Sequence, residues 1–158
     1  MNKRHLLLTF AASMTVMATT AAGYIKTERG ITVSISANTT ALKDFTTAPR
    51  LVRIQPVSSS IFRVSATAEE QFADRQSLII VPQTAYNDYE VREEGTTITV
   101  ATPQMQAHIL TTTGEIWFTD SKGNTVLREL KGGGKGFRPY TCTQVHADGT
   151  PETYHGWS

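Results

Sequence analysis

The stretch TITVATPQMQAHILTTTGEIWFTDSKGNTVLREL, residues 97–130, predicts four short β-strands joined by turns. Ile98 and Val100 alternate with threonines in its first segment, and Ala107 and Ile109 alternate with polar residues in its second. Side chains of successive residues point to opposite faces of a strand, so each segment has one apolar face. This alternation is typical of half-buried antiparallel strands.

Turn residues separate these strands at short intervals. The run DSKGN, residues 120–124, is the strongest turn signal in the chain. Asp120 can accept hydrogen bonds from the backbone of its own turn, and Gly123 can adopt the positive φ that closes a three-residue hairpin loop. The sequence therefore predicts a hairpin between residues 115–120 and 125–130.

Other strand-like runs share a high content of β-branched residues and are bounded by turn residues. They are residues 31–37, 51–55, 61–66, 77–81, 89–92 and 137–145. The runs 51–55 and 61–66 predict a second hairpin, and 89–92 is expected to pair with 97–101. Residues 67–76 have a helical composition and could form one or two turns, although an exposed excursion is the preferred interpretation. Short strands at this spacing predict an all-β antiparallel β-sandwich.

The first 22 residues have the composition of a cleaved secretory signal. Lys3 and Arg4 precede a mostly apolar run at 6–18, and small residues follow it. A membrane anchor is the alternative, but the apolar run is shorter than the ~20 residues that span a bilayer. We therefore predict a signal peptide at residues 1–22, a domain at residues 23–158, and a secreted or periplasmic location.

The charge of the mature chain excludes several classes of partner. Loss of the signal changes the net charge from +1 to −1, because the signal contains two basic residues and no acidic one. Nucleic acids and anionic membranes require a clustered basic face, so we expect neither as a partner after cleavage. Cys142 is the single cysteine and cannot form an internal disulfide, so the domain must be stabilised by its core.

The C-terminal part of the sequence has less regular patterning. The run KGGGKG, residues 131–136, predicts a flexible loop, because Lys135 is followed by glycine where a phosphate-binding loop needs Ser or Thr. The chain ends in YHGWS, which is rich in aromatic residues and has no charged edge. From this ending we expect a sandwich that is incomplete at its C-terminal end.

Three segments together carry a family resemblance: RLVRIQPVSSSIFRVSAT (50–67), TTITVATPQMQAHI (96–109) and TTGEIWFTDSKGNTVLREL (112–130). They resemble the N-terminal region of glycoside hydrolase family 31, the α-glucosidases and α-xylosidases. The resemblance covers nearly all of the chain after the signal. It implies a β-sandwich similar to galactose mutarotase, followed by a (β/α)8 catalytic barrel. The family's Tyr-Gly-Leu-Gly strand is missing, since residues 154–157 have the order Tyr-His-Gly-Trp.

The resemblance implies hydrolysis of a terminal α-linked glucose or xylose with retention, by two Asp residues of the barrel. Nothing in this chain corresponds to them, so we predict no catalytic residue, no cofactor and no metal. Asp88 and Glu90 share a face of one strand but are interpreted as surface charges. The histidines and the cysteine lack metal-ligand spacing. Those of the predicted domain are His108, His146, His155 and Cys142.

Three aromatic residues are candidates for contact with carbohydrate or with a neighbouring domain: Trp117, Tyr154 and Trp157. Trp117 lies on the opposite side of its strand from Ile116 and Phe118, so it could stack on a sugar or pack against the barrel; we prefer packing. His108 is expected to be a solvated side chain on the polar face of its strand. The expected partners are the barrel of the same enzyme and an α-linked oligosaccharide or polysaccharide.

The sequence thus predicts the non-catalytic N-terminal sandwich of a family 31 α-glycosidase, which packs on the barrel and shapes the rim of its sugar pocket. A stand-alone carbohydrate-binding module and a mutarotase-like enzyme remain as alternatives. In mutarotase chemistry on this fold, a histidine acts together with a carboxylate.

Overall fold

The computed structural model describes residues 23–36, 47–73 and 84–158. These residues form eleven β-strands and no helix, and hence no helix long and apolar enough to cross a membrane. The strands are β1 (Tyr24–Thr27), β2 (Gly30–Ser34), β3 (Leu51–Pro56), β4 (Phe62–Thr67), β5 (Glu90–Glu94), β6 (Thr97–Ala101), β7 (Met105–Leu110), β8 (Ile116–Asp120), β9 (Thr125–Arg128), β10 (Pro139–Val145) and β11 (Pro151–Trp157). The predicted signal at 1–22 and the predicted strand at 77–81 lie outside the described residues.

The strands form two main sheets and one separate hairpin. One sheet has the order β1-β2-β3-β4, the other has the order β5-β6-β7-β8-β9, and β10 pairs with β11. Every pairing is antiparallel and joins strands that are neighbours in the sequence. The three hairpins expected from the sequence are present as β3-β4, β5-β6 and β8-β9.

The core lies between the inner faces of the two sheets. The burial of β3 and β6 alternates along the strand, as the apolar-polar alternation of their sequences predicts. The fully buried apolar side chains come from both sheets: Ile31, Val33, Val52, Ile54, Ile98, Val100, Ala107, Ile109 and Ile116. Phe62 and Phe118 meet across the sheets, with ring centroids 5.9 Å apart. The predicted all-β antiparallel β-sandwich is therefore confirmed.

The β8-β9 turn has the chemistry expected from its sequence. Asp120 Oδ1 accepts hydrogen bonds from the backbone N–H groups of Lys122 and Asn124, both at 2.9 Å. The Asn124 side chain donates to Asp120 Oδ2 at 2.8 Å, and the φ of Gly123 is 87°. These hydrogen bonds, led by that of the Asn124 side chain, hold the pKa of Asp120 below its ordinary value.

The structure corrects the sequence analysis at three places. β1 was not predicted, and neither was β11, which pairs with β10 where we expected an unpaired aromatic ending. β9 ends at Arg128 rather than at residue 130, because the following carboxylate accepts a hydrogen bond from the Ile116 backbone. The described residues 68–73 contain no helical turn and are mostly exposed, in agreement with the preferred interpretation, and the Phe72 ring lies 4.0 Å from the Arg53 guanidinium on the four-stranded sheet.

Candidate functional site

A row of side chains crosses the outer face of the five-stranded sheet. The register places Thr99, His108, Trp117 and Arg128 opposite one another on β6, β7, β8 and β9. We call these four residues the outer row. The rings of His108 and Trp117 are stacked, with centroids 5.0 Å apart and planes 12° apart. The guanidinium of Arg128 lies 4.8 Å from the centre of the Trp117 ring.

Both faces of the Trp117 ring are occupied by this arrangement. β7 and β9 flank β8, so His108 and Arg128 approach the indole from opposite sides. The strand places Trp117 on the outer face, as the sequence analysis expected, while Ile116 is 1% exposed in the core. A sugar that stacks on the indole must displace one of its two neighbours, whereas a protein surface can contact the free ring edge. The role of Trp117 itself stays a prediction.

His108 is more covered than the solvated side chain that we expected. Its Nδ1 lies 2.9 Å from Thr99 Oγ1, and its Nε2 lies 3.0 Å from Thr119 Oγ1. A hydroxyl can donate or accept, so the two threonines satisfy either neutral tautomer of the ring. Partial burial lowers the pKa of His108 from its ordinary value of 6.5. The ring therefore has two threonine partners in place of the carboxylate that mutarotase chemistry requires.

Glu115 is a buried carboxylate that the sequence analysis did not single out. Oε1 accepts hydrogen bonds from Arg128 Nε and Nη2, both at 2.8 Å, and Oε2 accepts one from the Gly132 backbone N–H at 2.8 Å. The Gly132 hydrogen bond, followed by those of Arg128, holds the pKa of Glu115 below its ordinary value. Glu115 is thus an ionised anchor that joins the outer row to the glycine-rich loop.

A second carboxylate holds the same loop. Glu129 Oε2 accepts hydrogen bonds from the Ile116 backbone N–H at 2.9 Å and from Lys135 Nζ at 2.5 Å. Gly133 has a φ of +94°, and a Cβ placed there would lie 2.6 Å from Thr113 O. The loop at 131–136, which we expected to be flexible, therefore contacts the β7-β8 turn closely and is held by two carboxylates.

The remaining predicted contact residues lie on the β10-β11 hairpin, which has seven residue pairs. Tyr154 and Trp157 are three residues apart on one strand, so they project from opposite faces. Trp157 Nε1 donates to Glu69 Oε1, and Tyr154 Oη donates to Glu152 Oε2. Trp117 belongs to the outer row of the sandwich instead. The structure therefore places the three predicted residues on three separate surfaces.

The other histidines and acidic residues also have local partners. His146 Nε2 lies 2.8 Å from Glu152 Oε2, and His155 Nδ1 lies 3.2 Å from Thr141 Oγ1. Glu90 forms an exposed ion pair with its near neighbour Arg92 at 3.0 Å. Within the described ranges, no three His, Cys, Asp or Glu side chains are grouped so that they could hold a metal ion.

The structure was compared with known families and solved structures. No family model matches the chain. The fold is similar to that of the GH31 α-xylosidase Xac1773 from Xanthomonas citri, with a TM-score of 0.57 and 31% sequence identity over 82% of this chain. The chain is an N-terminal domain of glycoside hydrolase family 31. The matched part is 12% of the α-xylosidase chain, so the family 31 domain described here corresponds to a small part of a much longer protein.

A second solved structure shares the fold of this family 31 domain. It is an uncharacterized protein from Listeria monocytogenes EGD-e, with a TM-score of 0.50 and 13% identity. The similarity covers 77% of this chain and 11% of the Listeria chain. The resemblance to family 31 drawn from the sequence, and the β-sandwich that it implied, are both confirmed.

Proposed function

We propose that this family 31 domain is the non-catalytic N-terminal sandwich of a secreted or periplasmic α-glycosidase. The enzyme would hydrolyse terminal α-glucosidic or α-xylosidic bonds in a separate catalytic barrel. The observation that carries the proposal is the 31% identity, over 82% of this chain, to part of an α-xylosidase. The domain covers one side of the barrel and shapes the rim of its sugar pocket.

The contacts of the acidic residues support a reaction that takes place in the barrel and not in the sandwich. Retaining hydrolysis needs two carboxyl groups about 5–5.5 Å apart that are free to reach one glycosidic bond. The buried carboxylate of Glu115 has its oxygens occupied by Arg128 and Gly132, and Glu129 is engaged with Lys135. These acids hold the loop of the sandwich. We therefore assign the reacting carboxyl groups to the barrel.

Trp117 is the side chain that we assign to the contact with the barrel. Its ring faces are covered by His108 and Arg128, which leaves the indole edge for a further contact. Aromatic residues are enriched at the centres of protein interfaces. Partial burial lowers the pKa of the neighbouring His108, and both of its ring nitrogens have threonine hydrogen-bond partners, so burial of this part of the outer row disfavours a charge on the ring.

The full product of the reading frame that encodes this chain tests the enzyme proposal. We expect the purified protein to release p-nitrophenol from p-nitrophenyl α-D-xyloside or α-D-glucoside. NMR of the released sugar should show that its anomeric configuration is retained. A full product that contains no barrel, or that hydrolyses neither substrate, overturns the proposal. Edman sequencing of the exported protein tests the signal separately: we expect a new N-terminus near Gly23, and retention of Met1 contradicts export by cleavage.

A carbohydrate-binding module is the second candidate, favoured by two exposed aromatic side chains on the hairpin. Tyr140 is 48% exposed and Tyr154 is 41% exposed. Affinity electrophoresis in gels that contain xyloglucan or soluble glucans distinguishes this candidate from a purely architectural domain. Retardation that is lost in a Tyr154→Ala variant supports sugar binding, and unchanged mobility in every gel argues against it. An anomerisation assay with fresh α-glucose tests the mutarotase alternative, for which we expect no rate above that of buffer.

A further inference from the structure

The β10-β11 hairpin is exposed along most of its length. Every residue of β10 is exposed, and so are the first five residues of β11. A two-stranded hairpin on its own is at best marginally stable in water, because it has no third strand and no covered face. A hairpin with seven residue pairs therefore gains stability from a partner that covers one of its faces.

The base of the hairpin is attached to the sandwich. Phe137 and Thr47 exchange two backbone hydrogen bonds, at 2.9 and 3.2 Å. At the other strand, Trp157 Nε1 donates to Glu69 Oε1, which follows β4. The glycine-rich loop that leads into β10 is anchored by Glu115 and Glu129. These contacts fix the direction in which the hairpin leaves the domain.

The two faces of the hairpin differ in composition. One face, here called the tyrosine face, contains Tyr140, Cys142, Tyr154 and Glu152. The opposite face, here called the threonine face, contains Thr141, Thr143, Thr153, His155 and Trp157, together with Pro139, Val145 and Pro151. The contact of Trp157 with Glu69 directs the base of the threonine face toward the sandwich. The tyrosine face consequently points away from it.

The tyrosine face has an apolar surface made by close packing. The ring of Tyr140 lies across Gly156, because a Cβ on that glycine would meet two ring carbons and the hydroxyl oxygen of Tyr140, all at 2.8 Å. Tyr154, on the same face, pairs across the strands with Cys142. An aromatic ring over a cross-strand glycine pins the register and presents a flat ring to its surroundings.

The one carboxylate on this face has hydrogen-bond partners within the hairpin. Glu152 Oε2 accepts a hydrogen bond from Tyr154 Oη at 2.5 Å and lies 2.8 Å from His146 Nε2. Burial of a carboxylate is strongly unfavourable unless hydrogen bonds satisfy its oxygens. The partners of Glu152 reduce this penalty, so the face can be covered by another protein surface.

We propose that the tyrosine face docks onto the catalytic domain of the same polypeptide. The proposal rests on the proposed function and adds a second contact surface to the one assigned to Trp117. Tyrosine is enriched at the centres of interfaces, whereas threonine is under-represented among residues that dominate binding. The similar α-xylosidase has a chain of which this domain matches 12%, so a large surface is tethered to the hairpin at high effective concentration.

Alkylation of cysteine in the full-length protein tests the docking. Cys142 is exposed on the tyrosine face and reports whether that face is covered. The matched control is Thr143→Cys in a Cys142→Ser background, which moves the thiol by one residue to the threonine face. Iodoacetamide labelling of each site is measured by peptide mass spectrometry in native protein and in urea. We expect Cys142 to react at least about tenfold more slowly in the native protein, and the control thiol to react at nearly its denatured rate.

The outcomes separate the two proposals. Fast labelling of Cys142 in a full-length protein that hydrolyses α-glycosides overturns the docking and leaves the proposed function intact. Slow labelling of both thiols overturns the choice of face. Protection of Cys142 that disappears on dilution assigns the contact to a second copy and also overturns the proposal. If the control variant does not fold, Tyr154→Arg and Thr153→Arg replace it: we expect only the first to increase hydrogen exchange across β10, and equal exchange contradicts the docking.

Discussion

Replacement of Glu115 by glutamine is expected to destabilise the sandwich although it changes the side-chain volume little. Glu115 is 1% exposed, and its two oxygens accept from Arg128 on one side and from the Gly132 N–H on the other. A glutamine amide has one oxygen and one NH2 group. Whichever way it is turned, its NH2 group faces a donor, so one of the two partners loses its acceptor.

The expected loss follows from these contacts. A hydrogen bond to a charged group contributes about 1.5–3 kcal/mol, and a donor left without a partner adds its own desolvation penalty. The Arg128 side chain is 50% exposed, so its guanidinium regains water and the ion pair itself adds little. We therefore expect Glu115→Gln to lower the free energy of unfolding by about 2–3 kcal/mol. Glu94→Gln, at an exposed position, is the control and should lie within about 0.5 kcal/mol of wild type.

Urea unfolding at pH 7, followed by far-UV circular dichroism, measures these differences. Equal stability of the Glu115→Gln variant and the Glu94→Gln control would refute the assignment of Glu115 as an anchor. The pKa of Glu115 is lowered in the folded state, so the unfolded carboxyl binds its proton first as the pH falls. The contribution of Glu115 is thus fully present above its ordinary pKa of 4.5 and is lost below it. The difference in the free energy of unfolding between wild type and Glu115→Gln should therefore shrink as the pH falls from 6 into the acid range. A difference that stays constant with pH contradicts an ionised Glu115.

Three further predictions concern the loop, the outer row and the core. Gly133→Ala should lower the free energy of unfolding by about 2 kcal/mol or more, because the φ of Gly133 is +94° and an added Cβ would meet a backbone oxygen at 2.6 Å. Gly123→Ala has open space around its Cβ and should lower it by about 1 kcal/mol; urea unfolding measures both. The pKa of His108, measured by NMR titration, should lie below 6.5 because burial disfavours the imidazolium; folding stability should therefore decrease as the pH falls through 6.5, and an unshifted titration would count against this environment. Ile109→Ala should lower the free energy of unfolding by about 2–5 kcal/mol, and the 69% exposed Ile25 should tolerate the same change; equal effects would contradict the assigned core.

Much of the sandwich was predictable from local sequence. The alternation around Ile98 and Val100 correctly placed both side chains in the core, and the Asp120-Gly123 turn correctly predicted the β8-β9 hairpin. The strand β11 was not predictable in the same way, because its glycine and histidine weaken the apolar-polar alternation. The structure pairs it with β10, where the ring of Tyr140 covers Gly156.

The candidate contact residues were only partly predictable. Trp117 was placed on the correct face, since the face of a strand residue follows from its position alone. Its two neighbours in the outer row come from adjacent strands, and nothing in residues 115–120 indicates that a histidine and an arginine would cover the indole. The register of three strands is required to see that the ring has only its edge free.

The sequence by itself determined the fold class, the family and the position of most turns, because strand alternation and turn chemistry depend on residues within a few positions of one another. Only the tertiary structure decided which polar groups meet. Glu115 becomes a buried anchor because Gly132 and Arg128 approach it from separate segments, and Trp157 becomes part of the hairpin base because Glu69 lies beside it. Such contacts depend on how segments that are distant in the sequence pack together. A local sequence pattern carries no information about that packing.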